Sequence, residues 1–181
     1  MTPYQIIALG DSLTYGYPFG PRCSWVASLS QALGQPILNQ GVNGDCLQDM
    51  LARLDRDVLD LCPKHCLILG GSNDFYQGIP YEKIKLTYLK ILEELKEEKV
   101  QAWIGLPPPV REKKVEKQLQ TFRNWLVRLS RQLKVPRLDF YKAFVHPKSG
   151  RIKAGVLEDE VHPSLAGYEM MGEVVRQTIG V

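Results

Sequence analysis

Gln5-Ile6-Ile7-Ala8-Leu9-Gly10-Asp11-Ser12-Leu13-Thr14-Tyr15-Gly16 is the stretch that decides the fold class. Its first half is apolar on successive residues instead of alternate ones, the pattern of a strand covered by helices on both faces. Its second half turns at once to small and polar residues. Residues 36–39, 66–69, 101–105 and 136–139 repeat the short apolar run. Between these runs lie helical stripes. Leu47, Leu51, Leu54, Val58 and Leu61 step by threes and fours, as do Ile84, Tyr88, Ile91 and Leu95. Val115, Leu119, Phe122, Leu126, Leu129 and Leu133 form a third stripe, and residues 167–179 close the chain with a less regular one. Each stripe marks one buried helix face. The alternation predicts an α/β fold with a parallel sheet, right-handed crossovers and helices on both faces.

The chain has 181 residues and a net charge of +3, from 23 Lys and Arg against 20 Asp and Glu. No repeat, low-complexity stretch or linker divides it, so a single domain over 1–181 is expected. A chain of this length hides about 70% of its unfolded surface, which removes the small scaffolds that need disulfides or a structural metal. The mild charge argues against nucleic acid as the main partner. Cys23, Cys46, Cys62 and Cys66 are too sparse for a disulfide framework. The run Cys62-Pro63-Lys64-His65-Cys66 has no second Cys/His cluster to complete a tetrahedral zinc site, so no metal is expected. Met1 to Leu9 carries no basic, apolar leader pattern, and no apolar run nears the roughly 18 residues of a membrane span. A cytoplasmic location is the resulting expectation.

In an open parallel sheet, ligands sit beyond the carboxyl ends of the strands. Three of those ends are rich in small and polar residues: Gly10–Gly16, then Asn39-Gln40-Gly41-Val42-Asn43-Gly44-Asp45, then Gly70-Gly71-Ser72-Asn73-Asp74-Phe75-Tyr76. None contains G-x-G-x-x-G or G-x-x-x-x-G-K-[ST], so a nucleotide phosphate is not expected there. Ser12 at the first strand end can serve as a nucleophile, although a serine there can equally cap the next helix.

A serine nucleophile needs a base, and the chain has three histidines. His65 precedes the third strand, on the wrong edge of the sheet. His146 lies in a Pro/Gly-bearing loop. His162 stands just before the last helix with Asp159 three residues upstream. On a tight loop, that spacing lets a carboxylate accept the Nδ1 proton and leaves Nε2 facing the serine. An N-capping loop with incidental charges has the same D-x-x-H pattern. Gly44 can bring its N–H close to a developing oxyanion, and Asn73 offers a carboxamide at the neighbouring strand end. With the Ser12 N–H, three donors would converge from adjacent loops.

Taken together, Gly10-Asp11-Ser12-Leu13, Gly41-Val42-Asn43-Gly44, Gly71-Ser72-Asn73-Asp74 and Asp159-Glu160-Val161-His162-Pro163 resemble the four ordered blocks of the SGNH hydrolases, the GDSL esterases and lipases. The resemblance implies a flavodoxin-like three-layer α/β/α sandwich with a five-stranded parallel sheet in the order 2-1-3-4-5. It further implies Ser12, Asp159 and His162 as the triad, and Ser12, Gly44 and Asn73 as the oxyanion hole. Neither Ser12 nor Ser72 fits the G-x-S-x-G elbow, and Tyr15 stands where an S-x-x-K serine enzyme needs lysine.

The expected reaction is ester hydrolysis through an acyl-enzyme, with no organic cofactor. Thioesters, lysophospholipids and acetylated sugars are alternative substrates for the same site, and a non-catalytic flavodoxin-like binding module is the alternative of another class. Phe75, Tyr76, Pro107, Pro108 and Pro109 are expected to border the crevice, with Tyr15, Tyr17 and Phe19 as another wall. Residues 111–137 hold nine Lys or Arg against Glu112 and Glu116. That is a solvated helix face or a weak contact with an anionic membrane. The oligomeric state is not legible from these features.

Overall fold

A computed structural model describes residues 5–179, so 1–4 and 180–181 of the expected 1–181 domain lie outside the described residues. Five strands lie among the described residues: β1 (Ile6–Gly10), β2 (Leu38–Gly41), β3 (His65–Leu69), β4 (Gln101–Leu106) and β5 (Arg137–Asp139). All pair in parallel, in the order β2-β1-β3-β4-β5. The helices are α1 (Ser12–Tyr15), α2 (Trp25–Leu33), α3 (Leu47–Ala52), α4 (Leu54–Asp57), α5 (Ser72–Tyr76), α6 (Tyr81–Glu97), α7 (Lys113–Leu133), α8 (Phe140–Phe144) and α9 (Leu165–Ile179).

The successive apolar residues of β1 divide between two cores. Ile7 and Leu9 join Cys66 and Ile68 of β3 under α3, α4, α6 and α7. Ile6 and Ala8 join Leu67 and Leu69 under α2, α8 and α9. A strand's side chains alternate between faces, so a run apolar at every position supplies both layers. The edge strand β2 is half-buried throughout and correspondingly more polar. It begins two residues later than expected. Gly10 ends β1 where the chain turns tightly: a Cβ there would sit 2.1 Å from Thr14 Oγ1 and 2.5 Å from Leu69 O.

Two expectations need correction. The stripe from Leu47 to Leu61 is not one helix: α3 and α4 are separated at Arg53, and a single 3₁₀ turn follows over Leu59–Leu61. The break lets the Arg53 side chain reach the carbonyls of Gly10 and Gln40. The basic segment is also less exposed than its charge count suggests. Arg123 is only 2% exposed, ion-paired with Glu116 and stacked on Tyr141 with its guanidinium carbon 4.1 Å from the ring centroid. His65 is a structural residue whose Nδ1 accepts from Trp103 Nε1 at 3.3 Å. Cys46 and Cys66 are buried, whereas Cys23 and Cys62 are exposed. No described helix is long and apolar enough to cross a membrane.

Candidate active site

The carboxyl ends of β1, β2 and β3 meet the loop that leads into α9. Ser12 opens α1, and Asp11 caps that helix by accepting the Leu13 N–H on Oδ1 at 2.8 Å. This leaves Ser12 almost buried, with its Oγ 3.1 Å from His162 Nε2. His162 Nδ1 lies 2.7 Å from Asp159 Oδ2. The other Asp159 oxygen accepts the N–H groups of Val161 and His162, each at 2.7 Å. The D-x-x-H loop therefore closes on itself. It is anchored further by Glu158 N–H to His162 O at 2.9 Å and by Arg111 N–H to Glu160 O at 2.8 Å.

The electrostatics favour a charged Asp159. Partial burial pushes its pKa up, but the two amide bonds and the imidazole outweigh burial and hold it below the ordinary carboxylate range. A carboxylate at 2.7 Å keeps the imidazole proton on Nδ1, so the Nε2 lone pair faces the Ser12 hydroxyl. Such a pair can take the hydroxyl proton as Oγ attacks a carbonyl.

The expected oxyanion donors, Gly44 and Asn73, follow β2 and β3, the strands on either side of β1. Gly44 has φ of +86°, a left-handed conformation that glycine adopts without strain, and open space lies where a Cβ would be. Asn73 donates one amide N–H to Asp45 O at 2.9 Å, which fixes the carboxamide while it still carries a second N–H.

The expected crevice walls separate into two groups. Tyr76 is 41% exposed beside the α9 loop; burial, then Glu112, Glu160 and Asp159, push its phenol up to about 12. Phe75 points inward, 5% exposed, with its ring centroid 5.7 Å from that of Phe122. Pro107, Pro108 and Pro109 are buried, and the first two offer carbonyls to Arg123 Nη1 at 3.3 Å. All four are thus buried, as Ser12 is, whereas Tyr76 is open to solvent. Tyr17 lies against His162 with ring centroids 4.6 Å apart, Tyr15 is half-buried, and Phe19 packs on the core of α2 and α9.

Several polar residues at the site were not anticipated. Burial pushes the carboxyl of Asp11 up to about 7, against the Leu13 N–H bond, with Asp74 and Asp45 adding repulsion. Asp74, whose two oxygens accept the Leu47 N–H at 3.1 and 3.3 Å, is raised by burial to about 6. Tyr168 of α9 donates its hydroxyl to Tyr17 O at 2.8 Å. Arg53 joins Asp45 and Asp57. Nothing local sets Arg53 apart: it is one of several charged residues interleaved with the apolar stripe between Leu47 and Leu61.

A model of the GDSL-like lipase/acylhydrolase family matches residues 8–170. Among curated proteins, thioesterase 1/protease 1/lysophospholipase L1 of Escherichia coli is 27% identical over 88% of this chain and 75% of its own length. An arylesterase of Vibrio mimicus is 26% identical over 97% of this chain and 88% of its own. Among solved structures, a lipolytic protein of the G-D-S-L family from Desulfitobacterium hafniense superposes with a TM-score of 0.88 at 28% identity, covering 96% of this chain and 98% of that one. The strand order β2-β1-β3-β4-β5 agrees with that fold. The chain belongs to the GDSL-like lipase/acylhydrolase family and is a hydrolase of ester bonds.

Proposed function

We propose that the protein is a serine esterase working through an acyl-enzyme, with Ser12 as nucleophile, His162 as general base and acid, and Asp159 orienting the imidazole. The observation that carries this reading is the unbroken run from Asp159 Oδ2 to His162 Nδ1 at 2.7 Å and from His162 Nε2 to Ser12 Oγ at 3.1 Å. As Ser12 Oγ bonds to the substrate carbonyl carbon, its proton passes to His162 Nε2. The carbonyl oxygen takes the negative charge and is met by the N–H groups of Ser12, Gly44 and Asn73. The C–O bond to the alcohol then breaks, and the alcohol leaves with the His162 proton. Water then bonds to the acyl carbon while losing a proton to the same imidazole; the bond from that carbon to Ser12 Oγ breaks, Oγ takes the proton back from His162, and the acid leaves.

The mouth of this site is apolar and open: Tyr17, Val42 and Tyr76 are each about two-fifths exposed around it. That rim suits an ester with a short apolar acyl group or an aromatic leaving group. The cations that remain exposed on α7, Lys113, Lys114, Lys117, Arg128 and Arg131, extend the proposal to weak contact with an anionic membrane, which salt-sensitive binding to anionic vesicles tests. The central experiment is hydrolysis of p-nitrophenyl acetate by the parent and by Ser12→Ala. Mass spectrometry after diisopropyl fluorophosphate should show a single adduct on Ser12. Retained activity in Ser12→Ala, or an adduct elsewhere, would remove the assignment.

A further inference from the structure

Arg53 is a charged side chain only 9% exposed, placed where α3 breaks and α4 begins. Its guanidinium spends its donors on four acceptors. Nε donates to Asp45 Oδ2 at 2.7 Å and Nη1 to Asp57 Oδ2 at 2.9 Å. Nη2 donates to Gly10 O at 2.9 Å and to Gln40 O at 3.0 Å. The acceptors come from the end of β1, the end of β2, the loop after it and α4. Few side chains other than a planar, five-donor guanidinium could tie so many segments together.

Each acceptor near the site is close in the chain to an oxyanion donor. Gly10 stands two residues before Ser12. Asp45 follows Gly44 directly, and its main-chain carbonyl accepts the Asn73 carboxamide at 2.9 Å. Gly10 O is shared, since it also accepts the Val42 N–H at 3.0 Å. One side chain therefore sets the spacing between the loops that carry Ser12, Gly44 and Asn73, without touching the place a substrate would occupy. Gly44 has particular need of such support: it is exposed, and beyond its chain neighbours no atom lies within 4 Å of where its Cβ would be.

We propose that Arg53 is a positioning residue for the oxyanion hole, holding the donors of Ser12, Gly44 and Asn73 in register through Gly10, Gln40 and Asp45. This rests on the reading of Ser12 as nucleophile. Donor placement matters most when the carbonyl oxygen becomes an oxyanion, so its loss should appear in kcat and scarcely in KM. A purely structural Arg53 would lower the melting temperature and leave the surviving folded enzyme as active as the parent.

The test uses Arg53→Lys, Asn73→Ala, their combination and Ser12→Ala, with kcat and KM on p-nitrophenyl acetate and melting temperature for each. Lysine keeps the charge but cannot reach four acceptors. Arg53→Lys should lower kcat about 10²-fold, in the range of losing one oxyanion donor, with KM within about threefold of the parent. Asn73→Ala should cost about 10²–10³ in the parent but less than about tenfold in Arg53→Lys, because residues acting as a unit are not additive. A parental kcat in Arg53→Lys, or two losses that multiply in full, overturns the proposal. If Arg53→Lys does not fold, Asp45→Ala removes one Arg53 partner and leaves the carbonyl that holds Asn73. A drop of about tenfold in kcat at steady KM supports the role, and a parental kcat rejects it. Activity surviving in Ser12→Ala would overturn the nucleophile assignment instead, which keeps the two failures apart.

Discussion

The ring of Tyr17 leans on the imidazole of His162, centroids 4.6 Å apart and planes inclined by 54°. Tyr17 belongs to the segment just after α1, and His162 to the loop before α9. The contact therefore meets the imidazole from the same side of the chain as Ser12. Tyr17 is 41% exposed, so its ring is open to solvent beside His162.

Removing that ring should loosen the imidazole and widen the mouth. An aromatic contact of this kind is worth about 0.5–1.5 kcal/mol, so Tyr17→Ala should lower kcat about two- to tenfold on p-nitrophenyl acetate. Tyr17→Phe keeps the ring and should remain within about twofold of the parent. Steady-state kinetics on the two variants separate the ring from its hydroxyl.

Tyr168 supports the same contact from behind. Its hydroxyl is buried and donates to Tyr17 O at 2.8 Å, with Ser12 O at 3.4 Å. Tyr168→Phe leaves those carbonyls without this donor, at a cost of about 1–3 kcal/mol. For a domain of this size each kcal/mol is worth about 2–4 °C, a drop readily seen in thermal melts. The Phe variant should also show a small loss of kcat, because one carbonyl it releases belongs to Tyr17, the residue packed against His162.

Asp159 should matter far more to activity than to folding. Asp159→Asn still offers an oxygen to the N–H groups of Val161 and His162, which both bond Oδ1 at 2.7 Å. The amide cannot hold the imidazole in the same tautomer or stabilise its cation, and kcat should fall by about 10⁴ as for triads in general. Labelling of Ser12 by diisopropyl fluorophosphate should slow in parallel, while the melting temperature moves little.

Much of this arrangement is legible in the amino-acid sequence. The unbroken apolar run of Ile6 to Leu9 requires cover on both faces, and those residues do feed two separate cores. The small residues after β1, β2 and β3 mark where the chain must turn tightly, and Ser12 lies in the first of those turns, 3.1 Å from His162 in the loop before α9. What escapes is set by contacts distant in sequence. The helix break at Arg53 is tied to Gly10 O and Gln40 O, forty-three and thirteen residues away, which no local period encodes. Phe75 and Tyr76 are neighbours of similar shape, yet one packs on Phe122 and the other faces solvent. Charge counting over 111–137 likewise has no access to the burial of Arg123.

Asp11 is the buried carboxyl whose titration should be visible in stability. Oδ1 accepts the Leu13 N–H at 2.8 Å, but Oδ2 is buried with no hydrogen-bond partner among the described residues. Burial raises its pKa to about 7, against an ordinary 3.8. Between about pH 4 and 7 the folded protein therefore keeps a proton that the unfolded chain has lost, and the contribution of Asp11 to stability falls as pH rises through that window, whereas His65, lowered by burial, contributes in the opposite sense. Asp74, raised to about 6, acts in the same direction over the lower part of it. The depressed carboxyls of Asp57 and Asp159 act in the opposite sense, but only as pH falls below the ordinary carboxylate range. One such proton changes stability by at most about 1.4 kcal/mol per pH unit. Asp11→Asn has no proton to lose, so its melting temperature should fall less steeply than the parent's between pH 5 and 7. It should also gain on the parent as pH rises from 5 to 8. Equal slopes in the two proteins would mean that Asp11 titrates at its ordinary value and that its unpartnered oxygen is solvated.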